Sequence, residues 1–248
     1  MGHLNTKKDI IDKLQNEILL LQGVKPCVQD SHDGIGLGEI ESAFPNGIFP
    51  VGAIHEFLNA EPEHAAACSG FISGIIKTLL LKGGACLWVS TSRIFFPPSL
   101  TAFNVDADRI IFVDAKAEKD VLWIMEQALK CEGLAAVIAE VKEINIVQSR
   151  RLQLAIESSK VTGFLLRNDP QRLGTNTCVA RWKITPLPSE LEDGVPGVGF
   201  PRWQVDLLRV RNGNPGSWKL EWNDGNFHSV DREIKIQPLI KRLAGNYA

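Results

Sequence analysis

The chain has 248 residues, of which 44% are apolar and 23% are charged, and its formal net charge is −2. This length is ample for one α/β domain with a sizeable core. There is no basic excess, so tight binding of DNA over the whole surface is not implied and any contact with nucleic acid would be local. No run approaches the roughly 20 apolar residues of a membrane span, and the N-terminus lacks the apolar core of a signal peptide, so we expect a cytoplasmic protein without membrane contact.

The N-terminal part contains apolar residues at helical spacing, which predict an amphipathic helix over Lys7–Gln22. This helix either packs on its own domain or docks on a partner, and a polar, Gly-rich link follows it. We therefore divide the chain into residues 1–33, an N-terminal helix with a flexible linker, 34–230, the core domain, and 231–248, a tail with a short helix.

The stretch from residue 52 to 89 predicts a strand, a loop, a helix and a second strand. The strands are expected at Ala53–Leu58 and Ala85–Val89, and the helix at Cys68–Leu81. In a nucleotide-binding βαβ unit this loop cradles phosphate, which requires glycines and a Lys. Here the loop is AEPEHAAACSG, with no Lys and a single Gly at its end. The scaffold of an NTPase is predicted without its phosphate chemistry.

Further strands and helices alternate along the chain and predict a parallel sheet that is covered on both faces. The predicted elements are the strands Arg109–Asp114, Leu134–Val141 and Thr162–Arg167 and the helices Glu118–Cys131 and Gln148–Ser159. Three later segments alternate apolar and polar residues without helices between them, which predicts antiparallel edge strands at Cys178–Thr185, Trp203–Val210 and Trp218–Asn223. Most of the tryptophans in these strands are expected in the core.

The cysteines and histidines carry no metal-site or catalytic pattern. The five cysteines include no CxxC pair and no His at ligand spacing, and Cys86 and Cys178 lie in apolar runs. We expect these two as buried, reduced thiols. His55 and His64 are expected as ordinary core or loop residues, and no metal site is predicted.

Four segments together resemble the RecA-type ATPase core, and more closely the ImuA family of RecA-like accessory proteins of bacterial SOS mutagenesis, which is sometimes grouped with the cell-division inhibitor SulA. The segments are LGEIESAFPNGIFPVGAIHEF, CEGLAAVIAEV, QSRRLQLAIESSKVTGFLLR and PRWQVDLLRVRNGNPGSWKLEW. The resemblance spans about Leu37 to Trp222. It implies a RecA-like (P-loop NTPase-type) fold with a mostly parallel sheet flanked by helices and antiparallel C-terminal edge strands.

The same resemblance implies partners. They are an ImuB-like protein (a catalytically inactive relative of Y-family polymerases) and an error-prone DnaE-type polymerase, with RecA as an open further contact. DNA would be touched only weakly or indirectly.

The resemblance also locates the positions of a phosphate loop. Pro62 and Glu63 match the PE of the RecA loop GPESSGKT. The Lys position then falls on Ala67, or on Cys68 if the helix length sets the register, and neither can neutralise a phosphate. The hydroxyl that ligates Mg²⁺ would be Cys68 or Ser69. These five residues are the degenerate nucleotide-loop positions.

Two further positions concern catalysis. The Glu that activates water in RecA proteins falls on Ser92, which cannot act as a base, and the metal-directing Asp becomes Glu140. Phosphoryl transfer depends almost wholly on positioning and charge stabilisation, so we predict no ATPase activity and no cofactor, with ATP and Mg²⁺ as the alternative. Glu140 either faces a vestigial cleft or is a solvated or Arg-paired acid.

Other residues are candidates for contacts with macromolecules. Arg209 and Arg211 precede a predicted hairpin turn and, with Trp218, are candidates for a subunit or partner interface, although the arginines are equally expected as plain solvated residues. Arg150 and Arg151 begin a predicted helix and are candidates for DNA or phosphate contact.

The sequence therefore predicts a non-catalytic, RecA-like scaffold in SOS-induced translesion DNA synthesis. Two alternatives stay open: a nucleotide-binding RecA/KaiC-type ATPase with a nonstandard phosphate loop, and a SulA-like inhibitor of cell division.

Overall fold

The computed structural model describes residues 34–92, 94–168, 170, 174–190 and 198–230. The strands are β1 (Ile54–Asn59), β2 (Ala85–Ser90), β3 (Ile110–Asp114), β4 (Leu134–Val141), β5 (Thr162–Asn168), β6 (Ala180–Leu187), β7 (Arg202–Val210), β8 (Gly216–Asn223) and β9 (Asn226–Ser229). The helices are α1 (Pro62–Leu81), α2 (Glu118–Ala128) and α3 (Ile146–Ser159). The predicted N-terminal helix and the short helix of the tail lie outside the described residues.

The nine strands of the described residues form one sheet in the order β3-β2-β4-β5-β1-β6-β7-β8-β9. The pairs from β3 to β6 are parallel, as the alternation of strands and helices predicted. Helix α1 packs on one face of this sheet, whereas α2 and α3 pack on the other. The predicted fold class, a mostly parallel sheet flanked by helices with antiparallel C-terminal strands, is confirmed.

The C-terminal strands differ from the prediction in two details. Strand β6 pairs antiparallel with β7 but parallel with β1, so it is the seam between the two halves of the sheet and not an antiparallel edge strand. The described chain also contains β9, which pairs antiparallel with β8 and was not predicted. It has only four residues, Asn226–Ser229, too few for a clear alternation of apolar and polar side chains.

Helix α1 lies close to the sheet because two of its turns carry glycine. A Cβ at Gly74 would stand 2.5 Å from Phe227 Cζ and 2.8 Å from Trp222 Cζ3. At Gly70 a Cβ would stand 2.9 Å from Phe103 Cζ. All three distances are shorter than van der Waals contact, so only glycine permits this approach. The helix is thereby pressed onto an aromatic layer.

The aromatic layer fulfils the prediction for the tryptophans. Trp182, Trp203 and Trp222 are buried, and Trp218 is half-buried against the same core. Trp182 stacks on Phe57 of β1 with 5.9 Å between ring centroids. Large rings from β6, β7 and β8 thus continue the core of the parallel half beneath α1.

Two predictions about buried side chains are also confirmed. Cys86 and Cys178 are buried thiols, and burial raises the pKa of each to about 12. His55 is buried among rings, stacking on Phe49 with 4.3 Å between centroids. Its Nε2 donates to the Pro50 carbonyl oxygen at 2.8 Å, and Trp182 Nε1 donates to its Nδ1 at 3.3 Å. Desolvation lowers its pKa to about 4.

In the described part of the chain one helix, α1, is long and apolar enough by length and composition to cross a membrane. It is, however, packed against the sheet, and its buried residues belong to the main hydrophobic core. These properties are those of the core helix of a folded domain.

Candidate functional site

The candidate site lies at the carboxyl ends of β1, β5, β4 and β2, where a RecA-type fold holds its nucleotide. These four strands are adjacent and parallel, so their carboxyl ends meet at one edge of the sheet. Three features define the site: the connection between β1 and α1, a chain of hydrogen bonds across the strand ends, and an apolar groove.

The connection between β1 and α1 is very short. Only Ala60 and Glu61 separate the strand from the helix. The backbone N–H groups of His64 and Ala65 donate to the Glu61 carbonyl oxygen at 3.1 and 3.3 Å, which closes the first helical turn directly after the strand. A phosphate loop needs a wider arc of backbone in which several N–H groups point at the anion. No such arc exists between β1 and α1.

The predicted start of this helix at Cys68 is wrong, because α1 begins at Pro62. Proline at the first helical position and the alanines that follow both favour helix, and the segment lacks the glycines that would hold it open. Ala67 and Cys68 are consequently buried inside the helix. Ser69 donates its hydroxyl to the Ala65 carbonyl oxygen at 2.8 Å. The positions matched to the Lys and the Mg²⁺ ligand therefore do not line a loop.

The start of α1 is acidic. Glu61 is its N-cap residue and Glu63 lies in its first turn, and both are exposed. Carboxylates at this end interact favourably with the helix dipole, which is the same electrostatic field that would otherwise attract a phosphate. Two negative charges beside Pro62 therefore repel the anion that the fold usually binds here.

Glu140 lies near the end of β4 and is partly buried. Trp88 Nε1 donates to its Oε1 at 2.7 Å, and Asn168 Nδ2 approaches its Oε2 at 3.4 Å. Burial raises the pKa of this carboxyl, and the two hydrogen bonds oppose the rise. Within the described part of the chain its partners are an indole and an amide, so the expectation of a solvated or Arg-paired acid is corrected.

The hydrogen bonds continue from Glu140 to β1. Asn59 Nδ2 donates to Asn168 Oδ1 at 2.9 Å, so Trp88, Glu140, Asn168 and Asn59 connect the ends of β2, β4, β5 and β1. Asn59 is buried, and its Oδ1 has no hydrogen-bond partner among the described residues. We call these four side chains the strand-end chain. It contains one carboxylate and no cation, a composition that suits a positively charged or N–H-donating ligand better than a phosphate.

An apolar groove of about 360 Å³ opens beside the strand-end chain. Small residues of α1 form part of its lining, and the segment after β2 contributes the exposed side chains of Ile94 and Phe96. The neighbouring Phe95 stacks on Trp88 with 4.2 Å between ring centroids. The lining residues are Pro62, Ala65, Ala66, Ser69, Gly70, Ile94, Phe95, Phe96, Ser99, Phe103, Glu140, Leu166, Asn168, Pro201 and Trp203.

The structure brings some of the predicted nucleotide positions together. Pro62, Ser69 and Glu140 line the same groove, although they hold no phosphate geometry. Ser92, matched to the water-activating Glu, lies exposed beyond the end of β2, where its carbonyl oxygen accepts a hydrogen bond from the Ser90 hydroxyl at 2.6 Å. Among the residues described, no group of three or more His, Cys, Asp or Glu side chains could hold a metal ion.

The candidate interface residues are placed away from the groove. Arg209 Nη2 donates to Asn176 Oδ1 at 2.6 Å, and Arg211 Nη2 donates to the Thr177 carbonyl oxygen at 2.7 Å. Both arginines thus fix the segment that leads into β6. Trp218 packs half-buried against the core. An interface role for these residues stays a prediction.

The candidate phosphate contacts, Arg150 and Arg151, are exposed on α3. Arg151 Nη2 lies 2.6 Å from Glu126 Oε2 of α2, so part of its charge is compensated within the chain. Both lie on a helix that covers the sheet face opposite α1. Contact with DNA also stays a prediction.

Sequence reasoning missed an ion-pair cluster in which Glu56 and Arg167 are buried, Arg181 is partly buried and Glu143 is exposed. Glu56 is fully buried in β1; its Oε1 lies 3.0 Å from Arg167 Nη1 and its Oε2 lies 2.5 Å from Arg181 Nε. Arg167 Nη2 also reaches Glu143 Oε2 at 2.6 Å. A Glu within the apolar strand IHEFL was the available signal, since a charge in a buried strand requires a partner.

A comparison with solved structures agrees with the fold described above. No protein-family model matches the chain. The crystal structure of the RadB recombinase superposes with a TM-score of 0.56 at 15% identity, covering 80% of this chain and 100% of that one. The chain is thus a RecA/RadB-like α/β protein in fold.

Curated relatives define the family more closely. Over 198 residues the chain is 36% identical to Protein ImuA of Caulobacter vibrioides strain NA1000, and the match covers 75% of this chain and 81% of the relative. Protein ImuA of a second strain, ATCC 19089, matches with the same identity and coverage. The chain belongs to the ImuA family.

Proposed function

We propose that this protein is a non-catalytic accessory protein of SOS-induced, error-prone translesion DNA synthesis. Membership of the ImuA family supports this role. The inferred partners are an ImuB-like relative of Y-family polymerases and an error-prone DnaE-type polymerase, with RecA as a further contact. The protein would act in the cytoplasm as an interaction platform and would contact DNA at most indirectly.

The observation that carries the non-catalytic part is the two-residue connection between β1 and α1. Phosphoryl transfer requires a phosphate held by backbone N–H groups, a Lys and a metal ion. Here the helix closes at once, its first turn is acidic, and the matched hydroxyl of Ser69 bonds within the helix. Losing all three elements removes both the binding site and the charge stabilisation.

Nucleotide titration tests this part directly. We expect no saturable binding of fluorescent ATP with Mg²⁺ by the purified full-length protein in the micromolar range, and no phosphate release above that of buffer. The matched variant is Glu140→Gln, which removes the carboxylate of the strand-end chain, at the position matched to the metal-directing Asp. Hydrolysis that this variant abolishes would contradict the proposal and favour the RecA/KaiC-type ATPase.

Co-purification tests the partner. The tagged protein, co-expressed with the ImuB-like protein of the same bacterium, is expected to elute with it as one complex in size-exclusion chromatography. Two separate peaks would contradict this partner. Cell filamentation on overexpression, in a strain that lacks the polymerases, would favour the SulA-like alternative instead.

A further inference from the structure

We infer that the groove beside the strand-end chain binds a partner segment in which an apolar side chain lies next to a Lys or Arg. This inference rests on the proposed function, because a groove that held ATP could not also hold a peptide. It adds to that function the site of the contact and the chemistry of the bound segment.

Most of the side chains that line the groove are apolar. The buried side chains of Phe103, Leu166 and Trp203 belong to its lining, and the volume of about 360 Å³ lies within the range of pockets that hold small ligands or a few side chains. At the rim, the side chains of Ile94 and Phe96 are 76% and 67% exposed. Large apolar side chains exposed next to a groove are typical of a protein interaction site.

The ionisable side chains at the groove are acidic. Glu140 is a lining residue, and Glu61 and Glu63 flank the lining residue Pro62. In the described part of the chain the Glu140 carboxylate has neutral hydrogen-bond donors only, Trp88 and Asn168. A partly buried carboxylate without a cation is costly, and a Lys or Arg from a partner would compensate it through a charge-assisted hydrogen bond. Charge complementarity therefore selects a basic segment.

The site is also held in place before any partner arrives. Trp88 links Glu140 to the rim, since its indole N–H holds the carboxylate at 2.7 Å and its ring stacks on Phe95 at 4.2 Å. The opposite wall is a regular helix, α1. Because α1 and the stack of Phe95 on Trp88 are packed within the fold, this part of the groove needs little ordering on binding, which favours affinity for a short segment.

Two tryptophan variants on the same helix test the location. Ala66 is exposed and lines the groove, so Ala66→Trp fills it without removing a core contact. Leu81 is 78% exposed at the end of α1 and does not line the groove, so Leu81→Trp is the matched control. Both variants are compared with wild type by thermal unfolding, so that a loss of binding can be separated from a loss of fold.

The probe is a phage-displayed library of twelve-residue peptides selected on the full-length wild-type protein. We expect enriched peptides with an apolar residue beside Lys or Arg. Wild type and Leu81→Trp should bind a synthetic copy equally, and Ala66→Trp about tenfold or more weakly, as measured by fluorescence anisotropy. Replacing the peptide's Lys or Arg by Gln should weaken binding to wild type but not to Glu140→Gln, which isolates that charge pair.

Several results would overturn the inference: no enriched peptide, enriched peptides without Lys or Arg, or equal binding by the two tryptophan variants. If ATP does not bind either, these results would contradict the inference about the groove but not the proposed function. ATP that binds at micromolar concentration and displaces the peptide would instead contradict the proposed function. An ImuB-like protein that binds wild type and Ala66→Trp alike would contradict the groove alone.

Discussion

Two polar regions of the same sheet each contain a carboxylate that is at least partly buried, but the partners of the two carboxylates differ. In the ion-pair cluster, Glu56 lies in the middle of β1 with a guanidinium on each of its oxygens, from Arg167 and Arg181. In the strand-end chain, Glu140 lies near the end of β4 with an indole and an amide as its partners among the described residues. Strands β1 and β4 are separated only by β5.

The partners of each carboxylate decide whether it is neutralised within the fold or can still bind a cation from outside. Removing a carboxylate from water is costly unless cations and hydrogen bonds replace the hydration. Glu56 has that replacement inside the chain, so nothing further is needed. Glu140 has only neutral donors, and burial raises its pKa. A raised pKa in a groove marks the carboxyl that gains most from an external cation.

The largest expected effect is at the ion-pair cluster. Arg167→Met would leave Glu56 buried with one cation fewer, and we expect it to lower the free energy of unfolding by about 3–5 kcal/mol. Urea denaturation of wild type and variant at pH 7.5 measures this. The double variant Glu56→Gln/Arg167→Met removes the buried negative charge as well and should recover part of the loss, although Arg181 then lacks its carboxylate partner. A single-variant loss of less than about 1 kcal/mol would mean that the two regions do not differ as described.

A second test concerns His55, which neighbours Glu56 in β1 but packs on the opposite face, against Phe49. Its pKa is lowered to about 4, so between pH 6.5 and 4 the unfolded chain binds a proton that the folded chain does not. Stability therefore falls as the pH decreases through this window, by up to about 3 kcal/mol.

The measurement is urea denaturation at half-unit pH steps from 7 to 4. In His55→Gln this contribution should disappear, although the variant is less stable at pH 7 because its ring contacts are lost. If the stability of the variant depends on pH as that of wild type does, His55 takes up its proton in the folded protein. The sheet face on which His55 packs against Phe49 would then be open to water.

The fold could be predicted because its strongest signals are local. The apolar run Leu134–Val141 is a strand with the predicted bounds, and a continuous apolar run indicates a strand buried on both faces. The start of α1 was mispredicted because a nucleotide-binding βαβ unit led us to expect a loop, whereas Pro62 and the alanines favour helix. The parallel pairing of β6 with β1 could not be predicted, since alternation shows one buried face but not the direction of a neighbour.

At the candidate site, Glu140 could be predicted from the sequence but its hydrogen-bond partners could not. Glu140 was found through its position in a family resemblance. Its partners Trp88 and Asn168 come from β2 and β5, and they meet it only because the strand order places both strands beside β4. The same holds for Glu56 and Arg167, which are far apart in the sequence and whose side chains meet across the β1–β5 pair, two positions apart in the register. Strand order is a property of the packed sheet that hydrophobic periodicity does not encode.

The smallest expected effect is also the most direct test of the comparison. Glu140→Gln keeps an oxygen for the Trp88 N–H but removes the charge. Because the pKa of Glu140 is raised in the fold, its ionisation costs stability as the pH rises above the ordinary value of 4.5 and through the raised pKa. The variant should therefore be slightly more stable than wild type at pH 8. The gain in the free energy of unfolding should be less than about 1 kcal/mol, because the weak hydrogen bond from Asn168 is lost. At pH 4.5 the gain should vanish. Urea denaturation at pH 8 and at pH 4.5 measures both effects. The control for removing a carboxylate elsewhere is Glu126→Gln on α2, where a partly buried Glu pairs with the exposed Lys130 and Arg151. A Glu140→Gln protein that is clearly less stable than wild type at pH 8 would mean that this carboxylate is already compensated within the chain, and the reason for a basic partner in the groove would be gone.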